Sequence, residues 1–176
     1  MQTKESFISR LKEISQAPDP QNASNQYLQS CIAQWGTKPP WLPTPSKAEI
    51  DLWYSDPILS IFNIVWPPLF ITEPHNHNMW ATIGIYQGRE NNLFWSRGSN
   101  SIEVSGGHSV LAGEVIDLSS DAIHSVHNPV NEYTAAIHIY GGDFLGTKRS
   151  EWDPLTLEER ARDMANSEKA FEEANQ

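Results

Sequence analysis

Apolar positions recur along the chain in two rhythms. In the first third, Phe7, Leu11 and Ile14 follow one another at three- and four-residue steps, and Leu28, Cys31, Ile32 and Trp35 form a second stripe of the same kind. That spacing places side chains on one face of a helix. Asp19 followed by Pro20 reads as a helix cap and first helical position, since the missing proline N–H would be unpaired there anyway. The proline-rich stretch GTKPPWLPTP then stops the second helix, so residues 1–36 are read as N-terminal helices followed by a connector.

From about residue 50 to 145 the rhythm changes to short runs of Ile, Val, Trp, Tyr and Phe divided by turn formers such as QGREN, LAGE and NPVNE. Many short strands at that spacing predict a mainly β barrel or sandwich with antiparallel pairing. After it, Thr156 with Glu159 reads as a capping box, and Leu157, Ala161, Met164 and Phe171 supply a stripe for a closing helix over 154–174. The whole chain, 1–176, is expected to fold as one domain.

Charge narrows the partners. Twelve Lys plus Arg against 22 Asp plus Glu give a formal charge of −10, which repels a phosphate backbone or an anionic bilayer. Neither nucleic acid nor a membrane is an expected partner, and no apolar run is long enough to span a bilayer. Cys31 is the single cysteine, so no disulfide and no thiolate cluster can form within the chain, and a cytoplasmic setting is expected. Cys31 lies in a helical stripe and is read as packing.

Histidines carry the candidate chemistry. In EPHNHNMW, His75 and His77 stand two apart, hence on one face of a strand, where both imidazoles can reach one ion if further ligands arrive from another strand. In YTAAIHIY, Thr134, Ala136, His138 and Tyr140 share a face on which small residues leave room beside two polar tips. His124 and His127 are three apart and face opposite ways, so at most one joins the first pair; periodicity leaves the choice open. His108 reads as a turn residue. Trp80 and Tyr54 are candidate pocket residues beside Thr134.

The spacing His75-x-His77-x3-Ala81-x6-Gly88 resembles the first cupin motif, with Ala81 in the slot where a glutamate ligand usually stands. Gly113-x5-Ser119-x-Asp121-x2-His124-x3-Asn128 resembles the second at its glycine, histidine and asparagine. Among cupins the chain looks most like the thiol dioxygenases related to cysteine dioxygenase, which bind iron through three histidines; FNIVW resembles the strand by which that family enters its barrel, and AIHIY its Ser-x-His-x-Tyr segment. The resemblance implies a cupin double-stranded β-helix (jelly-roll) barrel, His75, His77 and His124 as metal ligands, and His138 and Tyr140 as catalytic residues near the substrate. It further implies ferrous iron as cofactor, with zinc, nickel or copper as alternatives for three imidazoles. The implied reaction adds dioxygen to a small thiol to give a sulfinate. Cupins often pair, and exposed Trp and Tyr on a barrel edge would allow a homodimer.

Two departures matter. The serine of the relay is Ala136 here, and no arginine stands between Arg10 and Arg89, where the family's carboxylate-clamping arginine is found. Free cysteine is therefore not the expected substrate. A zinc- or nickel-containing cupin with a hydrolytic, isomerase or small-molecule-binding role is the alternative.

Overall fold

The computed structural model describes residues 2–99 and 101–176. Helix α1 (Lys4–Ile14) opens on a Thr3–Ser6 capping box and buries Phe7, Leu11 and Ile14. Helix α2 (Pro20–Trp35) starts from the Asp19 cap, whose side chain accepts from the Asn22 N–H, and ends at Gly36 with φ 74°, a left-handed conformation suited to glycine. The strands follow: β1 (Glu49–Ser55), β2 (Ser60–Trp66), β3 (His75–Asn76), β4 (Ala81–Gln87), β5 (Arg89–Arg97) and β6 (Ile102–Leu111). Then come β7 (Val115–Leu118), β8 (Ile123–His127), β9 (Thr134–Tyr140), β10 (Ser150–Trp152), β11 (Glu159–Ala161) and a last helix, α3 (Met164–Glu173).

Two sheets form, ordered β1-β2-β9-β4-β7 and β11-β10-β3-β8-β5-β6. Their strand pairings are antiparallel. The sheets face one another across a core to which β2 gives Phe62, Ile64 and Trp66, β4 gives Ala81, Ile83 and Ile85, and β9 gives Ala136 and Tyr140. The alternate residues Ile61, Val65, Ala135, Ile137 and Ile139 point the other way, into a second core shared with Phe7, Leu11, Leu28 and Ile32 of the helices. With helices on one face and the opposite sheet on the other, β2 and β9 are buried at every position. Gly84 lets α2 seat closely: a Cβ there would lie 2.5 Å from Ile32 Cδ1 and 2.7 Å from Leu28 Cδ2.

The C-terminal segment departs from expectation. Thr156 and Glu159 do not form a capping box; the Asp153 carboxylate instead accepts from the N–H groups of Leu155 (2.9 Å) and Thr156 (2.8 Å), which folds a turn. Residues Glu159–Ala161 pair with β10 rather than beginning a helix. The helix therefore starts ten residues later than predicted, at Met164, where Asp163 caps it by accepting from Ala165 N–H at 3.0 Å. Strand pairing and an Asx turn outcompete a helical stripe whose members have different destinations. Leu157 packs with Ile102, Ile123 and Trp152, whereas Met164 and Phe171 reach the central core. Two strands thus lie beyond the expected barrel limit of 145, and they flank the site. Among the described residues no helix is long and apolar enough to cross a membrane.

Candidate metal centre

Strand β3 is only two residues long, yet its placement decides the site. It pairs on one side with β8, with His75 opposite His124, and on the other with β10, with His75 opposite Glu151. Direct pairing points His75 and His124 to the same face, and His77 follows two residues on. The ring centroids lie 5.2 Å (His75–His77), 4.6 Å (His75–His124) and 4.9 Å (His77–His124) apart. One nitrogen from each ring lies within 4.8 Å of the others, a group that could hold a metal ion. Nε2 of His77 and Nε2 of His124 are 3.3 Å apart, about the separation of two imidazoles each roughly 2.1 Å from one ion. Register thus answers the choice periodicity left open. His124 faces the interior, while His127 and His108 line a separate groove beside Leu93 and Ile71.

Outer partners set the tautomers. His75 Nδ1 donates to the Glu73 carbonyl at 2.9 Å and His124 Nδ1 donates to Asn92 Oδ1 at 2.7 Å, so in both rings Nε2 keeps its lone pair. The Asn92 amide in turn donates to Glu90 Oε1 at 3.0 Å, and Trp66 Nε1 donates to Glu90 Oε2 at 2.9 Å. Glu90 is fully buried, and burial pushes its carboxyl up to about 7 against the pull of those two hydrogen bonds. All three histidines are buried. Burial first, then the positive charge of Arg162, holds His75 well below its ordinary range and lowers His124 to about 3; for His77, burial and His124 weigh most. Neutral imidazoles are the form that binds metal.

His138 and Tyr140 project from β9 into the same cavity, with His138 Nδ1 3.1 Å from the Tyr140 hydroxyl. His138 Nε2 is buried without a protein partner. Burial lowers His138 to about 3 and raises the Tyr140 phenol. Phe62, Trp66, Phe144 and Phe171 form apolar walls, and only about 40 Å³ is open to the centres of water-sized molecules, room for a few waters.

The other three expected pocket residues lie elsewhere. Trp80 packs on the outer side against Gly141, where it leaves no room for a Cβ. Tyr54 donates its hydroxyl to Asp56 at 2.5 Å, beneath the Lys12 ammonium. Thr134 sits at the opposite end of β9 from Tyr140, donating to Asn128 Oδ1 at 2.8 Å, so it is no partner for His138. The common reason is that β9 and its neighbours are covered on both faces, so a polar residue can be buried without lining the cavity.

Two arginines join the site without a signal in the sequence pattern. Arg162 follows β11 and lines the cavity beside the three histidines; its side chain is 10% exposed, and its Nε has no hydrogen-bond partner. Arg149 lies 3.8 Å over the Phe144 ring with Nε and Nη1 unpartnered, and burial together with Arg162 lowers it to about 10. Arg162 reaches Glu151 only at 3.9 Å, and Glu151 is shared with Arg160 at 3.0 Å. Arg162 falls in the segment 154–174 that reads as helical and Arg149 in the connector before it, so neither pattern points to the cavity.

The arrangement resembles known structures in fold. A cupin-family protein from Methanocaldococcus jannaschii, described as having a double-stranded β-helix, superimposes with a TM-score of 0.50 at 12% identity, over 59% of this chain and 88% of that one. The fold is that of the cupins. A second double-stranded β-helix protein, from Klebsiella pneumoniae, gives a TM-score of 0.46 at 11% identity over 68% of this chain and 87% of its own. A DMSP lyase from Ruegeria pomeroyi gives 0.42 at 16% identity over 53% of this chain and 43% of its own length. No family's sequence profile matches the chain. Within the barrel, His75 and His124 stand on one sheet, with His77 just past the end of β3, and His138 with Tyr140 on the facing one.

Proposed function

We propose that this cupin is a metal-dependent oxygenase, working with ferrous iron, that adds dioxygen to a small thiol and releases a sulfinate. The observation that carries the reading is the buried cluster of His75, His77 and His124, with a guanidinium beside it and, among the described residues, no carboxylate in the cavity wall. Iron held by the three histidines would supply the redox chemistry. Both oxygen atoms enter the product: the thiol sulfur loses four electrons, dioxygen gains them, and no external reductant is required.

The chain's own residues bind and orient. Arg162, with a buried unpartnered N–H, is placed to hold an acidic group of the substrate, so the guanidinium absent between Arg10 and Arg89 comes from the far end of the chain. This makes the preferred substrate a small thiol that also carries a carboxylate or similar anion. His138 and Tyr140 form a hydrogen-bonded pair within the wall, where Tyr140 can donate and the bare His138 Nε2 can accept or donate. The aromatic walls keep water scarce, which strengthens each of these contacts.

Oxygen uptake by anaerobically prepared, iron-loaded protein, tested against thiols with and without a carboxylate, checks the proposal. Thiol-dependent uptake with one sulfinate formed per dioxygen is expected. Fully loaded protein that consumes no oxygen with any thiol sinks it. A second reading, a zinc or nickel cupin without redox work, draws on Ala136, which leaves His138 without a hydroxyl partner on that side. Stoichiometric zinc in natively purified protein would favour it.

A further inference from the structure

Glu90 is buried beside the site and enters none of the chemistry above. It is 0% exposed and, among the described residues, has no cation within ion-pair distance; its two contacts are Trp66 Nε1 and the Asn92 amide. An uncompensated carboxylate in an apolar interior is costly and calls for a reason. The other buried acid on this side, Glu151, is already engaged by Arg160 and Arg162.

The hydrogen-bond polarities run one way. Indole nitrogen only donates, so Glu90 Oε2 accepts from Trp66. The Asn92 amide oxygen faces His124 Nδ1, which leaves its NH2 group to donate to Glu90 Oε1. Each member of Trp66→Glu90←Asn92←His124 is therefore satisfied in a single arrangement. In it, the negative end of the chain, Glu90, polarises the Asn92 amide, and the amide oxygen in turn polarises the His124 imidazole that faces the other two.

We propose that Glu90 is a positioning residue for the metal centre: acting through Asn92, it fixes His124 with the proton on Nδ1 and, in the ionised form that a bound divalent ion favours, supplies the negative charge that three neutral imidazoles do not. The inference rests on the metal reading above. A divalent ion among neutral ligands keeps its full charge, and a carboxylate one amide away in a low-dielectric interior lowers its free energy without occupying a coordination position. The open positions stay free for substrate.

Titration of the metal-free protein with zinc alone and with ferrous iron alone tests this, using native protein, Glu90→Gln, and the double variant Glu90→Gln with Asn92→Asp. In the single variant one amide hydrogen pair is forced against another donor and the charge is lost; a 10–100-fold fall in affinity is expected, with a higher Fe(III)/Fe(II) midpoint potential. In the double variant the new amide at position 90 accepts from Trp66 and donates to the new carboxylate at position 92, which accepts from His124, so charge and hydrogen bonds return. Affinity should recover to within a few-fold and the potential should fall again, which a packing role for Glu90 would not produce. Native-like affinity and potential in Glu90→Gln would overturn the proposal, as would a folded double variant that stays weak. Nitrogen NMR of the native protein covers the case in which variants fail to fold: a His124 Nδ1 without a proton overturns the proposal. Native protein that binds neither metal removes the metal reading itself, and this inference with it.

Discussion

Burial makes the histidines of the cavity reluctant bases, and that has a measurable consequence at the level of single residues. His124 and His138 titrate near 3 in the folded protein against about 6.5 when unfolded, and His75 and His77 shift the same way. As pH falls below about 6.5 the unfolded chain takes up protons that the folded one refuses, so stability of the metal-free protein falls, by up to about 1.4 kcal/mol per pH unit per histidine, for His124 and His138 until about 3. Glu90, raised to about 7, works oppositely between about 7 and 4.5, but it is one group against four. Urea unfolding at pH 7.5, 6 and 5 should show the decline; a flat profile would contradict the buried neutral cluster. Arg162→Gln should raise KM for a carboxylate-bearing thiol by about tenfold or more while leaving a neutral thiol unaffected, with Arg162→Lys intermediate because ammonium binds without the planar fork. Steady-state kinetics on the matched pair of thiols reads this directly. Much of this site was legible residue by residue: period-two alternation put His75 with His77 and His138 with Tyr140. Arg162 was not, because nothing local marks a residue whose histidine neighbours lie 38 to 87 positions away in sequence.

At the level of elements, each segment succeeded or failed as a prediction according to how local its determinants are. The two N-terminal helices are specified by their own caps and stripes, Thr3 and Asp19 at their starts and Gly36 at the end of the second, and they fold where those signals place them. β10 and β11 are specified by partners instead. Arg97 grips Glu159 with two hydrogen bonds of 2.7 and 2.9 Å, and Arg160 reaches Glu73 at 2.6 Å, so residues that read as one flank of a helix are drawn into the sheet. Strand β3 is too short for any periodic signal, and its two neighbours define it. Leu28→Ala at the seat of α2 on Gly84 should destabilise the protein by about 2–5 kcal/mol, since the side chain is fully buried, yet leave metal stoichiometry unchanged. Chemical denaturation paired with metal analysis separates the two effects. Loss of metal on that change would mean that the helices and the site are coupled more tightly than their separate cores imply.

Across the whole molecule, a chain of formal charge −10 surrounds a small cavity lined by Arg162, so the proposed anionic substrate would be repelled at long range and held at short range. Salt screens the first effect more than the second. The rate of association of an anionic thiol should therefore rise with ionic strength while that of a neutral thiol stays level, as stopped-flow mixing can resolve. The cavity also draws on distant parts of the chain, and translation delivers those parts in sequence. The three histidines are synthesised before Arg162, which follows His124 by 38 positions. Yet β3 is held between β8 and β10, so the histidine cluster and Arg162 are brought together by the same late-synthesised segment of the chain.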